Sequence, residues 1–230
     1  MRPAVTQVGA HLFTYSFEAS RPSATATSAG NGNGYVCTGS GCPPWLPSAP
    51  AGATLDATPA CSVGGRLPWF NVTPIEAEQI CDAQGGHLCT LAEWQSTCGA
   101  ETQCVRGYSP RGPACLTTAT KYCNLLEYDF TSSVAGDQNG LPPAGSALLG
   151  SCAADFTNLY ANVSPLVRDL TGNLREIVKD EVTLGHRLMG GGFGTSEGGA
   201  TCDFRFYAVA PSYQLYDTGF RCCFDVDPRL

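Results

Sequence analysis

Cysteine is the residue type with the widest chemical range in this chain. Thirteen occur among 230 residues, at positions 37, 42, 61, 81, 89, 98, 104, 115, 123, 152, 202, 222 and 223. Thiols can cross-link, hold a soft metal or carry redox turnover. No two stand as Cys-x-x-Cys, so thioredoxin-like exchange and c-type haem attachment have no support. The count is odd, so at least one thiol has no intrachain cysteine partner. The adjacent Cys222 and Cys223 are expected to end two separate cross-links rather than form one vicinal disulfide. The three histidines, His11, His87 and His186, lie far apart in sequence and are expected to be satisfied or surface residues. No serine is read as the nucleophile of a Ser-His-Asp triad. Asn71-Val72-Thr73 and Asn162-Val163-Ser164 spell glycosylation acceptors. A proline follows each, which disfavours attachment, and both are read as chance.

The bulk numbers narrow the classes. Abundant cysteine places the chain outside a reducing cytosol: extracellular, on a cell surface or periplasmic. A hydrophobic fraction of 43% is enough for a real core, so disulfides supplement it. Only 14% of residues are charged, against 27 glycines and 16 prolines, which favours strands and loops over helical bundles. Net charge is −7 and no basic cluster exists, which argues against nucleic acid and anionic membranes. No run of 18 apolar residues appears, so no membrane insertion is expected. Met1-Arg2-Pro3-Ala4-Val5 shows no apolar signal-peptide core. The chain is therefore read as a mature fragment or as a domain of a larger exported protein.

These residues must be positioned by short elements. Residues 1–20 read as strand, with Phe13, Tyr15 and Phe17 alternating. Residues 21–65 and 99–168 read as long loops pinned by disulfides. Between them Thr73-Pro74-Ile75-Glu76 is a capping box with proline at the first helical position, and Gly85-Gly86 ends that helix. Thr90-Leu91-Ala92-Glu93 is a second capping box, opening a helix that continues to Cys98. Beyond 168, strands are expected at Arg175–Val178, Arg187–Phe193, Asp203–Val209 and Gly219–Asp225, broken by glycines.

Five segments in order resemble one family. They are Pro68-Trp69-Phe70-Asn71-Val72-Thr73, Gly86-His87-Leu88-Cys89-Thr90-Leu91-Ala92-Glu93-Trp94-Gln95, Asp169-Leu170-Thr171-Gly172-Asn173-Leu174-Arg175-Glu176, Met189-Gly190-Gly191-Gly192-Phe193 and Gly219-Phe220-Arg221-Cys222. Phe17-Glu18-Ala19-Ser20-Arg21-Pro22 also looks like an opening strand of that family. The family is the sulfatase-modifying factors, which include the formylglycine-generating enzymes, and the resemblance spans about residues 12–225. It implies a single α+β domain over 1–230 with a C-type-lectin-like fold: short twisted antiparallel strands, two helices and long disulfide-pinned loops.

The resemblance also carries site expectations. The copper-binding cysteine pair of the formylglycine-generating enzymes would fall at Thr195 and Ala200, or at Phe193 and Gly198, depending on the direction of counting. Neither count finds a cysteine, so copper is not expected. Cys202 matches a structural cysteine that pairs with Cys98, and Cys81 would pair with Cys222. Cys37, Cys42 and Cys61 would tie down the first loop, and Cys104, Cys115, Cys123 and Cys152 the second. Cys89 and Cys223 are left for each other or elsewhere. Calcium is the implied ligand, held by the side chains of Asp169 and Glu176 and the carbonyls of Gly172 and Leu174. A weaker second site would use Asn124, the Leu125 carbonyl and Asp137. The expected function is a non-catalytic exported lectin-like binding or structural domain, whose loops meet a protein or glycan partner or a second copy. A copper-dependent formylglycine-generating oxidase and a filament subunit linked through the odd thiol are the alternatives.

Overall fold

A computed structural model describes residues 3–30, 59–100, 104, 123–128, 140–149 and 151–230. The chain is mostly sheet, with two helices. It opens with strands β1 (Val5–Gly9), β2 (Leu12–Tyr15), β3 (Ala19–Ser20) and β4 (Cys61–Ser62). Helix α1 (Pro74–Asp82), strand β5 (His87–Leu88) and helix α2 (Leu91–Gly99) follow. Then come β6 (Ala153–Asp155), β7 (Leu166–Arg168), β8 (Arg175–Asp180), β9 (Gly185–Met189), β10 (Ala208–Val209), β11 (Thr218–Phe220) and β12 (Cys222–Phe224).

Both helices start where the capping boxes stand. The Thr73 and Thr90 side chains accept from the backbone N–H of Glu76 and Glu93, and each glutamate reaches back to its own cap residue. That reciprocal pair satisfies donors a helix start otherwise leaves open. Each helix turns its apolar side inward: Ala77, Ile80 and Cys81 from α1, and Leu91, Trp94 and Cys98 from α2.

One four-stranded sheet has the order β1-β2-β12-β5 and another β10-β9-β8-β11. The expectation of antiparallel strands holds for every described strand pair but one: β11 runs parallel to β8, with Thr218 opposite Arg175 and Phe220 opposite Ile177. The intervening β9, β10 and their loops return the chain to the same end, which parallel pairing requires. Two expected strands are shorter. The one beginning at Arg187 stops at Met189, because Gly190 and Gly191 both take positive φ, 82° and 69°. A Cβ on Gly190 would stand 2.2 Å from the Leu170 carbonyl oxygen, so only glycine fits there. In the stretch expected as strand from Asp203, only Ala208 and Val209 pair, because residues 203–205 are all exposed rather than alternating.

Four disulfides lie among the described residues. Cys81–Cys222 ties α1 to β12, Cys89–Cys223 ties the α2 entrance to the same strand, and Cys98–Cys202 ties the end of α2 to the 202–217 segment. Cys123–Cys152 closes a shorter loop. Adjacent Cys222 and Cys223 thus reach in opposite directions from one central strand, as alternating side chains must. Cys104 is also disulfide-bonded, while Cys61 carries a free thiol. Cys37, Cys42 and Cys115 lie outside the described residues, as does most of the two long loops. No helix among the described residues is long and apolar enough to cross a membrane.

Candidate functional site

The implied calcium residues come together, but with other partners. Glu176 is fully buried, and both its oxygens accept from the Arg221 guanidinium at 2.6–3.0 Å. Oε2 also accepts from the Trp94 indole at 2.7 Å. Leu174 offers its N–H to Glu18, which also accepts from the Asn173 amide. Asp169 accepts from the Gly145 N–H. Burial, with the Asp169 charge beside it, pushes Glu18 well above the usual carboxylate range. Burial also lifts Asp169 to about 6. Gly172, at φ 84°, donates to the carbonyls of Gly190 and Gly191. Glu176 and Asp169 thus belong to a buried polar joint with Arg221, Trp94 and Glu18, between β8, β12 and the β2–β3 corner. At the second place, the Asn124 amide donates to the Gly140 carbonyl and to Asn173, and the Leu125 carbonyl accepts from Tyr128. Asp137 lies outside the described residues. Among the described residues no group of three or more His, Cys, Asp or Glu side chains is arranged to hold a metal ion.

The segment aligned with the copper pair holds no thiolate. Thr195 caps the Gly192 N–H, Ala200 is buried, and Cys202 is bonded to Cys98. Gly194-Thr195-Ser196-Glu197-Gly198 carries the letters of a nucleophile elbow. An elbow needs a strand before the serine and a helix after it. Here Ser196 follows a loop and precedes the three-residue 3-10 turn Glu197–Gly199. His87 Nε2 bonds Glu93 at 3.0 Å, whereas His186 Nε2 lies 3.3 Å from Glu78 without hydrogen-bond geometry, and both His186 ring nitrogens are buried without a hydrogen-bond partner. Asn71, of the first glycosylation pattern, is buried.

The most distinctive exposed chemistry lies at 203–217, between two anchors. Cys202 is fixed to α2 by its disulfide, and Thr218 opens β11. Phe204 and Phe206 pack edge to face at 4.8 Å, and Tyr207 and Tyr213 at 6.1 Å. Phe204 is 43% and Tyr207 53% exposed. Two arginines brace the face from beneath. Arg175 pairs with Asp217 at 2.6 Å, donates to the Tyr207 hydroxyl at 3.3 Å and lies 5.6 Å from the Phe206 ring. Arg187 donates to the Phe206 carbonyl while paired with Asp180. The Tyr207 and Tyr213 hydroxyls meet at 3.0 Å. Burial raises Tyr213 above the usual phenol range, whereas the bond from Tyr213, with Arg175 behind it, lowers Tyr207. The Tyr207 oxygen thus accepts from Arg175, and either hydroxyl can donate in the tyrosine pair. The sequence signal for this face is Phe204-Arg205-Phe206-Tyr207 and Tyr213-Gln214-Leu215-Tyr216, which crowd five aromatics into thirteen residues.

No family model matches the chain, and no curated protein matches it. Solved structures resemble it in arrangement. Treponema denticola variable protein 1 is 13% identical, with 98% of this chain and 92% of that one covered and a TM-score of 0.49. CarF is 18% identical, with 94% and 87% covered and a TM-score of 0.48. PvdO from Pseudomonas aeruginosa is 15% identical, with 72% and 67% covered and a TM-score of 0.47. None of these scores reaches one half, so the site is read from its own geometry.

Proposed function

We propose that this is a non-catalytic exported binding domain on a C-type-lectin-like scaffold, and that the aromatic face at 203–217 receives its partner, a protein or a glycan. The exposed rings braced by Arg175 and Arg187 are the observation that carries this. Rigid aromatics with few rotamers supply contact area at low entropic cost, and braced hydroxyls supply direction. The thiol-free segment at 193–200 supports a non-catalytic reading.

The test is a screen of the folded domain on a glycan array and on a panel of surface proteins, repeated with Phe204→Ala and Tyr207→Ala. Both positions are exposed, so both variants should keep the wild-type fold by near-ultraviolet circular dichroism. Loss of the same binding signal in both, by about tenfold or more, is expected. A signal that both variants retain puts the partner elsewhere. Conversion of a sulfatase-type cysteine peptide to formylglycine by copper-loaded protein would overturn the non-catalytic part. The filament alternative rests on Cys61, and non-reducing electrophoresis decides it: a reductant-sensitive ladder supports it, and a single monomer band removes it.

A further inference from the structure

Strand β1 is an outer strand of its sheet, paired with β2 alone among the described strands. Its sequence, Val5-Thr6-Gln7-Val8, has no charge and no proline, the usual protections of an outer strand. A register shift between Gln7 and Gly9 interrupts the regular ladder at its far end. That leaves Val5–Gln7 as the regular portion. High β-propensity without charge makes such a segment prone to pairing with another chain.

One side chain occupies that edge. The Gln7 N–H donates to Asn162 Oδ1 at 2.7 Å, and the Gln7 carbonyl accepts from Asn162 Nδ2 at 3.0 Å. These are the two bonds that an antiparallel strand residue would exchange with Gln7. The loop behind Asn162 is held in place. Thr6 donates to the Ser164 carbonyl at 2.8 Å, Phe156 N–H bonds the Pro165 carbonyl at 2.8 Å, and Tyr160 packs on the core. Only one amide orientation serves both Gln7 groups, and neither aspartate nor alanine reproduces it.

We propose that Asn162 is a one-residue surrogate strand that closes the β1 edge, and that its removal opens this edge to antiparallel pairing with β1 of a second copy of the chain. Pairing of β1 with itself about Gln7 is self-complementary, as a two-fold dimer requires. The proposal also gives the Asn162-Val163-Ser164 pattern a structural use, because its amide nitrogen is already a donor within the fold.

The experiment compares molecular mass by light scattering for the wild type, Asn162→Ala and the double variant Gln7→Pro/Asn162→Ala. All carry Cys61→Ser, so that a thiol link is not mistaken for strand pairing. Proline at position 7 removes the N–H that a second strand needs, and outer strands tolerate it. The expected result is a monomeric wild type, a dimer or larger species for Asn162→Ala, and a return to monomer in the double variant. Asn162→Asp keeps the acceptor and loses the donor, and should associate more weakly than Asn162→Ala. It supplies the comparison if the alanine variant does not fold. An Asn162→Ala chain that stays monomeric overturns the proposal, as does association that persists with proline at position 7 or a wild type that already pairs through β1.

Discussion

Arg221 is enclosed at 1% exposure, and every polar atom of its guanidinium has a partner: Glu176, the Tyr15 carbonyl and the Arg168 carbonyl. Replacing it with methionine keeps the volume but leaves Glu176 buried beside Glu18 and Asp169. The expected loss is about 3–5 kcal/mol in urea unfolding, the usual cost of breaking a buried pair. His87 gives a pH signature. Its bond to Glu93 raises its pKa, while burial opposes. Burial would raise Glu93, yet the bond from His87 holds it low. A raised histidine contributes stability in full below its unfolded pKa and loses it as pH rises through the folded one. A lowered glutamate contributes above its unfolded pKa and loses it as pH falls through its folded one. The urea midpoint of wild type should therefore exceed that of His87→Gln most near about pH 6 and converge with it by about pH 9. An unchanging difference would count against the pair. At this scale the sequence shows which side chains can ionise but not what they face. Asp169 and Glu176 read as oxygen ligands, and only three-dimensional packing shows Glu176 answering a guanidinium 45 residues away.

Helices were legible because their signals are local. Thr73, Pro74 and Glu76 specify a start within four residues, and no distant contact is needed to read them. Thr73→Ala should cost about 1 kcal/mol. Thr90→Ala should cost about the same, since it too loses one bond to the cap hydroxyl and keeps the backbone N–H from which Glu93 accepts. Thermal unfolding of the two variants side by side checks that the losses match. Strands were less legible, because a two- or three-residue strand such as β5 or β10 is defined by its neighbour, not by its own alternation. The parallel placement of β11 depends on a connection of 37 residues, from 181 to 217, whose path no local pattern encodes. Gly190 is an exception, since a glycine run in a strand context signals close backbone approach. Gly190→Ala meets both the positive φ and the Leu170 carbonyl, and should leave little folded protein by circular dichroism after refolding.

For the whole molecule, cross-links matter as much as the core. The closed loops of Cys81–Cys222, Cys89–Cys223 and Cys98–Cys202 span 141, 134 and 104 residues, where loop-closure entropy is largest. Each should contribute about 2–5 kcal/mol. Reduction should therefore lower the melting temperature steeply in a scan with and without dithiothreitol, and a shift of only about a degree would show that the core suffices alone. Cysteine count alone marked the chain as cross-linked. The partners of Cys81 and Cys98 came from family order, since connectivity cannot be computed from spacing. The same three bonds set a schedule for synthesis. Cys81, Cys89 and Cys98 are made more than a hundred residues before their partners at 222, 223 and 202. During that interval their neighbours in the growing chain are one another and other early cysteines such as Cys61 and Cys104. A nascent domain oxidised too early would pair these thiols wrongly. Correct closure requires that they stay reduced, or be reshuffled by an isomerase, until the last strand arrives.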